Sequence, residues 1–100
     1  MSDRQNTAQE IISLVQAAQS GDIEAMDRLL EMYKGMVAYK ARPYVLIGAD
    51  REDITQEGMI GLYRAIREYD PTKGMTFDQY AEMRVQNQII AAIRSAARQK

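Results

Sequence analysis

Asp53, Gln56, Glu57, Ile60, Arg64 and Arg67 follow one another at intervals that fall on one side of an α-helix, which turns by about 100° per residue. Carboxylate, amide and guanidinium groups around one apolar side chain suit docking onto another helix, with Ile60 as anchor and the polar groups fixing register. A solvated face, with Glu52 and Asp53 complementing the helix N-terminus, has the same composition. Neither reading is catalytic, because Asp53 and Glu57 have no third ligand, base or phosphate loop beside them. The chain holds no histidine and no cysteine, which removes the commonest general base and any thiolate site. No catalytic residue, metal or cofactor is therefore expected, and the chain is not expected to be an enzyme.

Two further groups carry binding chemistry. Arg84, Asn87, Gln88, Ala91, Arg94, Ser95 and Arg98 share a helical side. Asn and Gln pair bidentately with adenine edges, and Arg binds guanine or phosphate. Such a helix suits DNA, although an ordinary polar helix surface looks alike. Just before it lie Tyr69, Phe77 and Tyr80, close to Lys73. Aromatic faces near cations hold unstacked bases, at about 1–3 kcal/mol per stack. Phe77 reads as a core residue, while Tyr80 is open between core and ligand.

Charge follows the same division. The segment 84–100 has four basic residues and no acidic one, whereas the first 83 residues have nine basic and fourteen acidic. A basic end on an acidic body fits a local polyanion contact, and equally cations that favour a helix C-terminus.

The elements that position these groups are helical throughout, with no strand-like alternation and no internal repeat. Thr7 and Glu10 form a capping box ahead of Ile11, Leu14, Val15 and Ala18. Gly21 ends that helix and Asp22 caps the next, whose apolar face runs through Ile23, Met26, Leu29, Leu30, Tyr33, Met36 and Val37 to about Arg42. Pro43 is expected to end it. Gly48 and Asp50 mark a loop and an N-cap, and a third helix spans about Arg51 to Tyr69. Its core side is Ile54, Gly58, Gly61, Leu62, Ala65 and Tyr69. Asp70-Pro71-Thr72-Lys73-Gly74 is a turn. Thr76 with Gln79 caps a last helix, whose core stripe is Val85, Ile89, Ala92, Ile93 and Ala96. The expectation is an all-α fold, a compact bundle of about four helices. One hundred residues, 46% of them hydrophobic, suffice for one core. The start lacks the apolar run of a signal peptide and no segment is long enough to span a membrane, so the cytoplasm is expected.

The stretch DREDITQEGMIGLYRAIREYDPTKGMTF, Asp50 to Phe77, resembles region 2 of the sigma-70 family of bacterial RNA polymerase sigma factors. The longer run GDIEAMDRLLEMYKGMVAYKARPYVLIGADREDITQEGMIGLYRAI is similar to the alternative sigma-H subgroup of spore-forming Gram-positive bacteria, and the likeness covers roughly residues 23–100. The D-x-x-QEG-x-x-GL core is specific. The resemblance implies a helical domain of the sigma domain 2 type over residues 22–100, with residues 1–21 an N-terminal helix or extension. It implies that Asp53, Gln56 and Glu57, joined by Ile60 and Arg64, bind the clamp helices of the polymerase beta-prime subunit. Tyr69, Phe77 and Tyr80 match positions that capture the flipped adenine of the minus-ten promoter element. Asn87 stands where a glutamine commonly reads that element's upstream edge, and is one methylene shorter. Met83 and Arg84 replace a tryptophan pair, which implies a different or narrower promoter preference. Lys73, Gln88, Ala91, Arg94 and Arg98 complete the expected DNA-binding set, facing the non-template strand.

The implied role is transcription initiation and its regulation, by promoter recognition and melting without bond chemistry, in a sporulation-type factor. An anti-sigma factor is a candidate partner, and no membrane is. The alternative is an interaction module, an anti-sigma target or polymerase-binding decoy that does not melt DNA. Family members continue into a domain that reads the minus-thirty-five element, which no segment here supplies, so a fragment of a longer protein is expected.

Overall fold

The computed structural model describes residues 7–98, Arg98 by its backbone alone. Among them, five α-helices and one 3-10 turn follow in order, with no strand. Helix α1, Ala8–Gln19, starts as expected. The Thr7 amide donates to Glu10 Oε1 at 2.8 Å and the Glu10 amide to Thr7 Oγ1 at 3.1 Å, satisfying two donors that the first turn leaves without partners. Its Ile11, Val15 and Ala18 are buried, so α1 packs on the bundle. Asp22 accepts from the Ala25 amide and opens α2, Ile23–Met32.

The expected single helix to Arg42 is corrected here. It breaks at Tyr33, and α3, Lys34–Leu46, carries Pro43 inside it. The break is shallow, since Tyr33 N still donates to Leu29 O and Val37 N to Tyr33 O, both at 3.1 Å. Pro43 removes one ladder bond, to Tyr39 O. Both residues are exposed, where water replaces that bond. Leu29 and Val37 are fully buried on either side of the break, whereas Ile23, expected on the same apolar face, is 74% exposed.

Asp50 caps α4, Arg51–Glu68, by accepting from the Asp53 amide at 3.1 Å. All the expected core residues of α4 are buried, and Ile66 joins them. Gly61 is where α5 crosses closely: a Cβ there would lie 2.9 Å from Arg84 O and 3.0 Å from Val85 Cα. The Asp70–Gly74 turn contains a 3-10 turn, Pro71–Lys73, and closes with Gly74 at φ +90°, a conformation that glycine adopts without strain.

The Thr76–Gln79 capping box forms as expected, at 3.0 and 3.1 Å, and opens α5, Phe77–Arg98. Phe77, Ala81, Val85 and Ile89 are buried. The expected core stripe then fades: Ala92 and Ile93 are half-buried and Ala96 is exposed. Here the last turns of α5 and the first of α4 line an open groove with Ala49, Ile54, Asp53, Gln56 and Glu57, with no other helix among the described residues lining it.

Candidate functional site

Helix α4 presents its polar side beside α5. Asp53, Gln56 and Arg64 are exposed, Glu57 is half-buried and Ile60 is 41% exposed. The structure thus brings the five expected docking residues onto one side of one helix. It adds a tie that residue spacing did not reveal. Gln88 of α5 donates through Nε2 to Glu57 Oε1 at 2.9 Å, and its Oε1 accepts from Arg64 Nη1 at 3.2 Å. Gln88, expected to face DNA, is therefore engaged with the docking stripe. Tyr63, 47% exposed, is a further largely apolar group on α4 that belongs to neither expected stripe. It lies about 60° around the helix from Ile60, between the two stripes the pattern singled out, and an aromatic one turn from an exposed anchor was the available signal.

The aromatic group is built by the α4–α5 turn. Tyr69 and Phe77 meet edge to face with centroids 5.3 Å apart, and Tyr69 and Tyr80 lie 5.6 Å apart, tilted by 47°. The Tyr69 hydroxyl donates to Met75 O at 2.6 Å. Tyr33 completes the cluster from the α2–α3 junction, 5.3 Å from Phe77 and edge-on; its partner lies far along the chain, so no local spacing pointed to it. Tyr69 and Phe77 are buried, at 6% and 3% exposure, packed edge to face within the cluster. Tyr80 is half-buried and reaches the surface beside Arg84.

The electrostatics hold this edge in place. Arg84 Nη1 donates to Glu68 Oε1 and to Tyr80 Oη, each at 2.6 Å, and its Cζ sits 5.5 Å from the Tyr80 centroid. The bond to Glu68 chiefly raises the Arg84 pKa, so it stays charged. Lys73 is exposed on the turn. The Asp70 carboxylate accepts from the Thr72 amide and hydroxyl at 2.9 and 2.7 Å. These bonds, with the charge of Lys73, draw its pKa below the usual 3.8.

Farther along α5, Met83 is 39% exposed, and Asn87, Ala91 and Arg94 are exposed on the same side. The Arg98 side chain lies outside the described residues. Among the described residues no group of His, Cys, Asp or Glu side chains is arranged to hold a metal ion, and no helix is long and apolar enough to cross a membrane.

The model of the family described as Sigma-70 region 2 matches residues 29–99. This chain belongs to the sigma-70 region 2 family. The match takes in α3, α4, the aromatic turn and α5, while α1 precedes it. The chain is 49% identical over 87 residues to the RNA polymerase sigma-H factor of Bacillus subtilis, covering 87% of this chain and 40% of that one. It is also 49% identical over 92 residues to the sigma-H factor of Bacillus licheniformis, covering 92% of this chain and 40% of that one. With sigma factor SigA of Listeria monocytogenes it shares 39% over 92 residues, 92% of this chain and 25% of the other. The chain thus spans about two-fifths of the length of the sigma-H factors it matches. The all-α architecture is that of sigma-70 region 2, as expected from the Asp53–Leu62 motif, and the likeness to sigma-H factors is as the sequence resemblance had it.

Proposed function

We propose that this chain is the polymerase-binding and promoter-melting part of a transcription initiation factor. It docks the beta-prime clamp helices of core RNA polymerase through α4, then presents the aromatic turn and α5 to the non-template strand of the minus-ten element. Its contribution is binding energy directed at melted DNA, with no bond made or broken by its own residues. The observation that carries this reading is the α4 stripe: Asp53, Gln56 and Arg64 exposed around a 41% exposed Ile60, inside the family-matched residues. An apolar anchor ringed by register-fixing polar groups is what a helix-on-helix contact uses.

At the DNA side, Tyr69 and Phe77 form the floor of the cluster and Tyr80 its exposed edge, with Met83, Arg84, Asn87, Ala91, Arg94, Arg98 and Lys73 completing the contact set, and Gln88 at its border is held by Glu57 and Arg64. Flipping a base costs a few kcal/mol, which stacking and a fitted pocket offset. Few cations line α5, so affinity for DNA in isolation is weak, and docking on the polymerase raises the effective concentration. The cytoplasm, where the polymerase works, is the proposed compartment, and an anti-sigma factor is a proposed competitor for the same stripe.

A second reading, an interaction module that binds polymerase without melting DNA, draws on the burial of Tyr69 and Phe77, which leaves Tyr80 alone half-exposed among the three rings expected to meet a base. One experiment addresses both. The chain is titrated against a purified beta-prime clamp-helix fragment, with Gln56→Ala/Glu57→Ala as control, and Tyr80→Ala is compared in promoter opening by the assembled polymerase. Micromolar or tighter binding that the double variant loses is expected, with opening reduced in Tyr80→Ala. Absence of binding by the folded chain would remove the docking claim, and unchanged opening in Tyr80→Ala would favour the module.

A further inference from the structure

Helix α1 precedes the family-matched residues 29–99, yet its last side chain reaches the turn that holds the aromatic cluster. Gln19 Nε2 donates to Ile66 O at 2.9 Å and to Tyr69 O at 3.0 Å. One amide group has two hydrogens, and here each goes to a carbonyl. The last carbonyls of a helix have no partner within it. These two belong to the last turn of α4 and to its C-cap, where the backbone leaves the helix at φ −64°, ψ 137°. Gln19 therefore supplies from a distance a cap that the local sequence lacks.

The consequence falls on Tyr69. Its backbone is held by Gln19 and its hydroxyl by Met75 O. Between these fixed ends its ring packs against both Phe77 and Tyr80. Tyr80 is in turn the ring that reaches the surface beside Arg84. We propose that Gln19 is a positioning residue of the base-capturing cluster, setting the Tyr69 turn and through it the angle at which Tyr80 meets a base. This rests on the reading of the cluster as a base-stacking site. The hydrophobic packing of α1, through Ile11, Val15 and Ala18, is a separate contribution that fixes the helix without touching the turn carbonyls.

The test uses the full chain and three variants. Gln19→Leu keeps the volume and loses both donors. Gln19→Lys keeps a donor. Val15→Ala removes buried packing, 1% exposed in the parent, and leaves Gln19 in place. The first readout is the NMR ring signals of Tyr69 and Tyr80 in the chain alone. The second is made on the chain assembled with core polymerase. Affinity is measured for a single-stranded minus-ten oligonucleotide, intact or with each adenine in turn replaced by an abasic site. Gln19→Leu is expected to shift both ring signals and to cut the preference for the intact strand about tenfold, the scale on which losing the net contribution of hydrogen bonds to partly buried carbonyls is read. Gln19→Lys recovers part of it. Val15→Ala lowers the melting temperature and leaves ring signals and preference as in the parent. Unmoved ring signals in Gln19→Leu, or equal changes in Val15→Ala, would overturn the proposal. Loss of base preference already in the parent would instead overturn the base-capture reading, with the ring signals still deciding whether Gln19 sets the turn.

Discussion

The hydroxyl of Tyr33 is half withdrawn from water and donates to Asp78 Oδ1. Burial first, then the bond to Asp78 and its charge, raise its pKa well above the usual 10.0. Folding thus favours the protonated phenol, and its contribution is complete below the unfolded value and lost as pH rises above about 10. Thermal melts between neutral pH and pH 11 should show an alkaline loss of stability that is smaller in Tyr33→Phe than in the parent. Equal slopes would remove Tyr33 from the account. Asp70 works in the opposite direction. Its lowered pKa makes its hold on Thr72 complete at neutral pH and lost on acidification through and below 3.8. The roles of these two residues differed in how readable they were. Asp70 meets a partner two residues away and belonged to an evident turn. Tyr33 meets Phe77 and Asp78 across the bundle, and in sequence it was only one more apolar position on α2. Of the adjacent pair Met83 and Arg84, Arg84 is tied to Glu68 and Tyr80 while Met83 is 39% exposed.

At the scale of elements, the features decided within three or four residues were legible. The caps at Thr7, Asp22, Asp50 and Thr76 all form, because a side chain and an amide three positions on need nothing else from the fold. Where α2 ended was not legible. A proline lowers helix preference locally, but burial of Val37 and Ala41 carries α3 past Pro43 at the cost of one hydrogen bond. The fading of the α5 core stripe was hidden too, since periodicity shows which residues share a side and not whether a neighbour covers it. Glycines separate the same two kinds of information. Gly35 has open space where a Cβ would stand, whereas at Gly61 that atom meets the α5 backbone. Gly35→Ala should therefore stabilise by roughly 0.5–1 kcal/mol through helix preference. Gly61→Ala should destabilise by roughly 1–3 kcal/mol through overpacking. Chemical denaturation of the two variants checks the opposite signs.

Over the whole molecule, α4 and α5 form an antiparallel spine, seen in the pairing of Glu68 with Arg84 and of Glu57 with Gln88. Helix α1 leans on the α4 end that holds the aromatics, through Gln19. The proposed polymerase face and the proposed DNA face are thus adjacent sides of one packed helix pair, and Gln88 stands at their border, bonded to Glu57 and Arg64. That border has an evolutionary consequence. Residues 57, 64 and 88 are expected to form an epistatic triplet: Gln88 bonds both of the others, so replacing it takes a partner from each, and the effects of joint substitutions do not add. A double-mutant cycle on Glu57→Ala and Gln88→Ala, read as clamp-helix affinity, should return a coupling of about 0.5–3 kcal/mol. A lineage that shifts its promoter preference by changing α5 at this point also alters the surface proposed to hold the polymerase. Tolerated changes in the triplet are therefore expected to arrive in compensating pairs, and α5 to diversify first at Asn87, Ala91 and Arg94, which lie outside it.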